Sequence, residues 1–511
     1  MISPSSASLT VGLGLVLYGL YSWRNRLKLP LPPGPRKLPL LGNLLDIPST
    51  HPWITYMLWS EEYNSDIIHL DIAGKSVVVL SSLNAVESLL EKRSAIYSDR
   101  PRITMVNELM GWDFNLGMMK YGDEWRTHRR LFKQGFTPKA SLKYRPKQLT
   151  ATHRVLRLIL HRPDAFMDHF RQWAGDVILS VAYGIDVLPY NDPYVSLAYQ
   201  AVHGFATAGV PGRYLVDSLP ILKHVPAWFP GAGFKRQAKK WEKLAHAMRD
   251  VPFAVTKGQM ELGTPPPSFA ADYLLSLQES SDHYYTEGLV KNVAGTMFLG
   301  GADTTVSAVS TFMLAMLANP DAQQRAQAEI DSVTKGEHLP DFEDEAALPY
   351  VTAIVKEVLR WQPVTPMAIP HFVRVEDEYQ GYRIPAGSIV IGNTWAILHD
   401  EAIYPDPYAF KPERFLLNGK LNPAVRDPEI AFGYGRRRCP AIHMAMASVW
   451  ITVVSILATF DITRPLDGDG KEIAPSYEYD DGFISFPLPF KCGITPRSDE
   501  ARALIQATVS E

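Results

Sequence analysis

The stretch Phe432-Gly433-Tyr434-Gly435-Arg436-Arg437-Arg438-Cys439-Pro440-Ala441-Ile442-His443-Met444-Ala445 joins a glycine-bearing loop to a run that reads as a helix. Cys439 is one of two cysteines among 511 residues. A thiolate at a helix N-terminus is stabilised by free backbone N–H groups and the positive end of the helix dipole, and three arginines beside it add positive charge. A lone cysteine is otherwise a small buried apolar side chain. The flanking aromatic, glycine and arginine residues tip the reading towards a loop that holds sulfur as an anion.

With 46% hydrophobic and 21% charged residues, the chain is globular and long enough for a large core. Its net charge of −3 sets up no field that would draw it to nucleic acid. The two cysteines, Cys439 and Cys492, give neither a disulfide framework nor a zinc-binding pair, and a reducing compartment fits.

Residues 1–6 precede an uncharged run over 7–23, from Ala7 to Trp23. As a helix it spans about 26 Å, near the short limit for a transmembrane anchor. Arg24, Arg26 and Lys28 follow it and no charge precedes it, so the positive-inside rule keeps the remainder cytoplasmic. A cleaved signal peptide would carry basic residues before the apolar run. Residues 24–35, ending in Leu31-Pro32-Pro33-Gly34-Pro35, form a basic, proline-rich linker that sets the globule against the membrane.

From residue 36 to 511 there is no repeat and no composition shift, which predicts one large, mainly α domain with a small β region. Ile67 to Ile72 and Val77 to Leu80 flank Ala73-Gly74-Lys75-Ser76 as a hairpin. A second strand region runs from Phe372 to Val390, turning at Tyr379-Gln380-Gly381-Tyr382. Nucleotide motifs fail on spacing. The glycine that a phosphate-binding loop needs before Gly74-Lys75-Ser76 falls at His69, and Gly433-Tyr434-Gly435 is followed by arginine where a third glycine belongs.

Between Leu289 and Leu317 lies a helix apolar on nearly every face, hence buried on all sides. Its middle carries Gly300-Gly301-Ala302-Asp303-Thr304-Thr305. Each glycine costs about 1 kcal/mol relative to alanine, and buried polar groups need partners. A local opening of the helix for a ligand, with a hydroxyl for proton transfer, would account for them, as would a kink capped by its own threonines. Glu357 and Arg360 share a face of the helix from Tyr350 to Trp361. Further on comes Pro412-Glu413-Arg414-Phe415.

The ordered set GGADTT, ExxR, PERF and FxxGxRxC, within Pro32 to Thr495, resembles the heme-thiolate monooxygenases of the cytochrome P450 family. The resemblance implies a single heme domain over 36–511 with the cytochrome P450 fold, binding heme b. It makes Cys439 the thiolate ligand of the iron, with Phe432, Gly435 and Arg437 at the matching signature positions. Asp303 and Thr304 correspond to the proton relay, and Trp125 and Arg129 to a grip on a heme propionate, joined by Arg437 and His371. Glu357, Arg360 and Arg414 correspond to a buried ion-pair cluster. His128 reads equally as a propionate donor or a packed histidine. One departure stands out: Ala441 occupies a position where the family usually has glycine.

The same resemblance implies insertion of one atom of O2 into a lipophilic small molecule. Met105 to Phe114, Phe205 to Tyr214, Val364 to Ile369 and Phe483 to Phe486 are the expected pocket segments. No flavin or nicotinamide motif is present, so electrons would come from NADPH-cytochrome P450 reductase, with Arg436 and Arg438 as candidate contacts. The implied setting is the endoplasmic reticulum membrane with the catalytic domain cytosolic. The likeness extends to fungal members that oxidise terpenoid, polyketide or indole scaffolds. A heme-thiolate isomerase, dehydratase or peroxygenase, and a non-catalytic heme sensor, are the alternatives.

Overall fold

The computed structural model describes residues 29–210, 212–279 and 285–510. The expected anchor over 7–23, the segment before it and the start of the linker lie outside them.

Strands β1 (Ile67–Ile72) and β2 (Lys75–Leu80) pair antiparallel, from Ile67 opposite Leu80 to Ile72 opposite Lys75. The turn is Ala73-Gly74 alone, both at positive φ (48° and 85°), so β2 starts two residues earlier than expected. The second strand region divides. In β3 (His371–Phe372), β4 (Asp377–Tyr379), β5 (Tyr382–Ile384) and β6 (Ile389–Gly392), only β4 and β5 form the expected hairpin. β6 instead runs parallel to β2, and β3 pairs with β6, giving the order β1-β2-β6-β3. The cause is burial: Val78, Val79, Leu80, Val390 and Ile391 are apolar on both faces, which suits inner strands of a covered sheet.

The body is helical. The site is framed by α1 (Asp123–Gly135), α2 (Arg145–His161), α3 (Phe166–Tyr183), α4 (Pro193–Gly209), α5 (Gly233–Glu261), α6 (Glu287–Ala318), α7 (Pro349–Trp361) and α8 (Ile442–Thr459). Thr286 caps α6, its hydroxyl accepting the Leu289 N–H at 3.2 Å, and the helix stops where Asn319 leads into Pro320. α6 and α8 are both long and apolar enough to cross a membrane, yet 72% of each apolar window is buried within the fold. They are core helices, as an all-round apolar surface requires.

Candidate active site

The cysteine loop is shaped by two glycines. Gly433 has φ 86° and ψ −170°, a conformation reserved for glycine. Gly435 has φ 52°, and a Cβ there would lie 2.1 Å from the carbonyl oxygen of Leu90. So folded, the loop lets the Cys439 N–H donate to Phe432 O at 2.8 Å, and both residues line one cavity of about 320 Å³. Ala441 sits at φ −98° and ψ 17°, which any residue adopts; no glycine is needed there.

The three arginines diverge. Arg436 donates to the Tyr121 hydroxyl and Arg438 to the Glu429 carboxylate. Arg437 turns inward and donates to the carbonyls of Ser98 (2.7 Å), Leu116 (3.1 Å) and Met119 (2.7 Å). Burial pushes the Cys439 thiol up, against the Ala441 N–H and the charges of Arg129 and Arg438. Burial and the neighbouring positive charges thus act in opposite directions on the sulfur, and a metal cation bound to it would favour the thiolate.

Across the cavity, α6 stays continuous. The Thr304 hydroxyl donates to Gly300 O at 2.7 Å and the Thr305 hydroxyl to Gly301 O at 3.1 Å, so the expected local opening does not form; the threonines satisfy themselves on their own helix. The glycines differ in purpose. A Cβ on Gly300 would meet nothing within 4 Å, because it faces the cavity, whereas one on Gly301 would strike Ile178 of α3. Thr304 lines the cavity. Asp303 faces the other way, into a small pocket with Arg171, Gly175 and Tyr199. Burial pushes its carboxyl up to about 6, with Arg171 opposing and Asp480 adding to the rise.

Trp125, Arg129, His371 and Arg437 line the same cavity, and so does Arg100, which the sequence motifs did not single out. Arg100 is buried and donates to the carbonyls of Gly117 (2.8 Å), Ile369 (2.8 Å) and Pro370 (2.7 Å). Burial lowers it well below the usual arginine value; Asp99, its sequence neighbour, bonds Arg374 at 2.6 Å instead. Burial brings Arg437 down to about 9, and its guanidinium lies 4.5 Å over the Trp125 ring. Arg129, also lowered by burial, donates to Arg438 O. His371 Nδ1 donates to Tyr97 O at 2.8 Å, and burial, with Arg100 nearby, lowers its ring well below the usual histidine value. Trp125 Nε1 is buried without a partner. Three guanidiniums and an orphaned indole N–H, with no lining carboxylate among the described residues, form a cradle for a ligand with more than one negative charge. A porphyrin with two propionates fits it, as does the open space at Gly300. His128 is the packed histidine: it donates from Nδ1 to Glu124 O at 2.9 Å and does not line the cavity.

Glu357 and Arg360 are both fully buried. Arg360 donates to both carboxylate oxygens, at 2.7 and 2.9 Å; Arg414 Nε (3.1 Å) and the Lys411 N–H (2.7 Å) complete the set. Arg360 also bonds Leu398 O and Arg414 bonds Pro405 O, so the cluster ties α7 to the chain leading into the cysteine loop.

Of the expected pocket segments, Phe205, Val364, Thr365, Ala368, Ile369, Phe483 and Ile484 reach the cavity. Met105 to Phe114 does not. Trp112 is buried between Phe114 (5.5 Å) and Phe205 (5.3 Å), and after Arg100 the lining resumes at Asn115.

Residues 32–491 match the family profile described as Cytochrome P450. The chain is 46% identical over 501 residues to cytochrome P450 monooxygenase 98 of Postia placenta, covering 97% of this chain and 96% of that one. It is 42% identical over 496 residues to the tryptamine 4-monooxygenase of Psilocybe cyanescens, covering 96% and 98%. It is 44% identical to cytochrome P450 monooxygenase ple1 of Rhodocybe pseudopiperita, covering 96% and 94%. Similarity of that extent takes in the cysteine loop, the threonine-bearing helix and the buried Glu357 cluster alike, and the chain belongs to the cytochrome P450 family, oxidoreductases that use heme b with a cysteine thiolate ligand.

Proposed function

We propose that this chain is a membrane-anchored monooxygenase that inserts one atom of O2 into an uncharged lipophilic molecule, in fungal secondary metabolism. The observation that carries the substrate class is the cavity wall, on which no Asp or Glu stands among the described residues. An ammonium group would shed its hydration there against no counter-charge, at a cost of several kcal/mol. Neutral terpenoid, polyketide or indole scaffolds suit the wall better than an amine such as the tryptamine named for the Psilocybe relative.

Cys439 would ligate the iron, while Trp125, Arg100, Arg129, His371 and Arg437 hold the propionates. Heme bound in this way supplies O2 activation and oxygen transfer. Phe432 and Gly435 keep the loop in shape beneath it. Apolar residues such as Val177, Ile178, Phe205 and Phe483 exclude water and hold the substrate. The Thr304 hydroxyl can swing from Gly300 O to donate a proton into the cavity, and Asp303, behind the helix, exchanges protons on the Arg171 side.

A membrane setting is supported by two exposed apolar segments. Leu40 and Leu45 are 97% and 72% exposed, and Leu215, Ile221 and Trp228 are 71%, 72% and 79% exposed. Both flank the β1–β2 turn, where the Ala73 N–H donates to Leu41 O and Lys75 Nζ to Asp217 O. Together with the apolar run over 7–23 they support a single-pass anchor in the endoplasmic reticulum with a cytosolic catalytic domain. Electrons would come from NADPH-cytochrome P450 reductase. Arg436 and Arg438 already have partners in Tyr121 and Glu429, so a reductase would compete for them.

The test is turnover of neutral lipophiles with NADPH, reductase and isotopically labelled O2. One labelled oxygen atom in the product is expected; product formed with peroxide alone and not with reductase would sink the proposal.

A further inference from the structure

We infer that Asn115 is a specificity-determining residue, whose side-chain N–H donates to an oxygen acceptor, such as a carbonyl, on a neutral substrate. The inference rests on the monooxygenase reading above. Asn115 is 3% exposed and lies on the cavity wall. Its Oδ1 accepts the Gly117 N–H at 2.7 Å. A backbone N–H can only donate, so this contact settles which end of the amide is oxygen. Nδ2 is the other end, and among the described residues no acceptor takes its hydrogens.

The residue is also held rigid. Its own N–H donates to Trp112 O at 3.0 Å, and its carbonyl accepts from Met118 (3.0 Å) and Met119 (2.9 Å). The next N–H, of Leu116, donates to Thr296 Oγ1 at 3.2 Å, and that hydroxyl donates to Asn292 O at 2.9 Å. Neighbouring polar groups are thus committed. Thr304 and Thr305 are bonded back to α6, and the lining guanidiniums face carbonyls and the proposed propionate positions. Trp173 Nε1 is sealed within the wall, whereas Asn115 lines the cavity itself. A fixed, unpartnered donor on a largely apolar wall favours a ligand that can accept from it and penalises one that cannot.

The experiment uses the full-length holoenzyme and two neutral bicyclic probes differing by one carbonyl, 1-tetralone and tetralin, titrated by the heme Soret shift. Wild type is expected to bind 1-tetralone about tenfold more tightly, the effect of one buried hydrogen bond. Asn115→Leu should abolish the preference, weakening 1-tetralone while tetralin binds at least as tightly as before. Asn115→Asp keeps the acceptor for Gly117 and should lose the preference too. Equal wild-type affinities, no response to either probe, or a preference that survives both substitutions overturns the inference. Loss of heme from both variants would assign Asn115 to the cofactor and overturn it as well. The carbon monoxide band of reduced wild type, read alongside, separates this failure from failure of the monooxygenase reading.

Discussion

Gly301 of α6 approaches α3 so closely that a Cβ on it would lie 2.7 Å from Ile178 Cγ1. Its neighbour Gly300 faces the open cavity. Gly301→Ala should therefore destabilise the protein by about 1–3 kcal/mol through overpacking. Gly300→Ala should stabilise the helix by up to about 1 kcal/mol while placing a methyl group in the cavity. Chemical denaturation of the two variants, with ligand titrations beside it, should give opposite orders for stability and binding.

Glu357 accepts four hydrogen bonds in full burial. Glu357→Leu strands the Arg360 charge and should cost about 3–5 kcal/mol. Arg360→Lys should also fail to restore wild-type stability, since an ammonium cannot make the paired contact. Denaturation midpoints and heme retention report both, and a midpoint unchanged in Glu357→Leu would refute the bracing role.

The Asp303 carboxyl, pushed up by burial from 3.8 to about 6, keeps a proton in the folded chain that the unfolded chain has already released. Stability from this group is full below about pH 4, falls as pH rises towards 6, and stays lower above it. Asp303→Asn should flatten this slope, which amounts to at most about 3 kcal/mol. Denaturation of wild type and variant between pH 4 and 7 checks the sign.

Thr304→Ala removes the hydroxyl on the cavity side of α6. NADPH and O2 consumption should continue while product per O2 falls about tenfold or more. Unchanged coupling would remove the residue from proton delivery.

Reduced wild type with carbon monoxide should show the long-wavelength Soret band of a thiolate ligand. Cys439→Ser should lose it, and Cys492→Ser, at a buried position outside the cavity, should keep it. Gly435→Ala should reduce heme incorporation, because its Cβ cannot coexist with Leu90 O.

The sequence alone singled out Cys439, Thr304, Trp125, Arg129, His371 and Arg437, which the fold brings to one cavity, and the Glu357, Arg360 and Arg414 set. Four ordered motifs specify a family, and the resemblance to it implies those roles. Tertiary structure decided what spacing cannot encode. Arg100 joined the cavity wall because the fold brings it to the carbonyls of Gly117, Ile369 and Pro370, and Asp303 parted from Thr304 because adjacent helical residues point about 100° apart. β6 joined β2 because strand pairing depends on which apolar edges meet in space. Ala441 takes backbone angles that need no glycine, and burial at Cys439, a property of the folded site, opposes the charges of Arg129 and Arg438. A sequence names the residue types a chemistry needs; burial and direction, which set their charge and reach, exist only once the chain has folded.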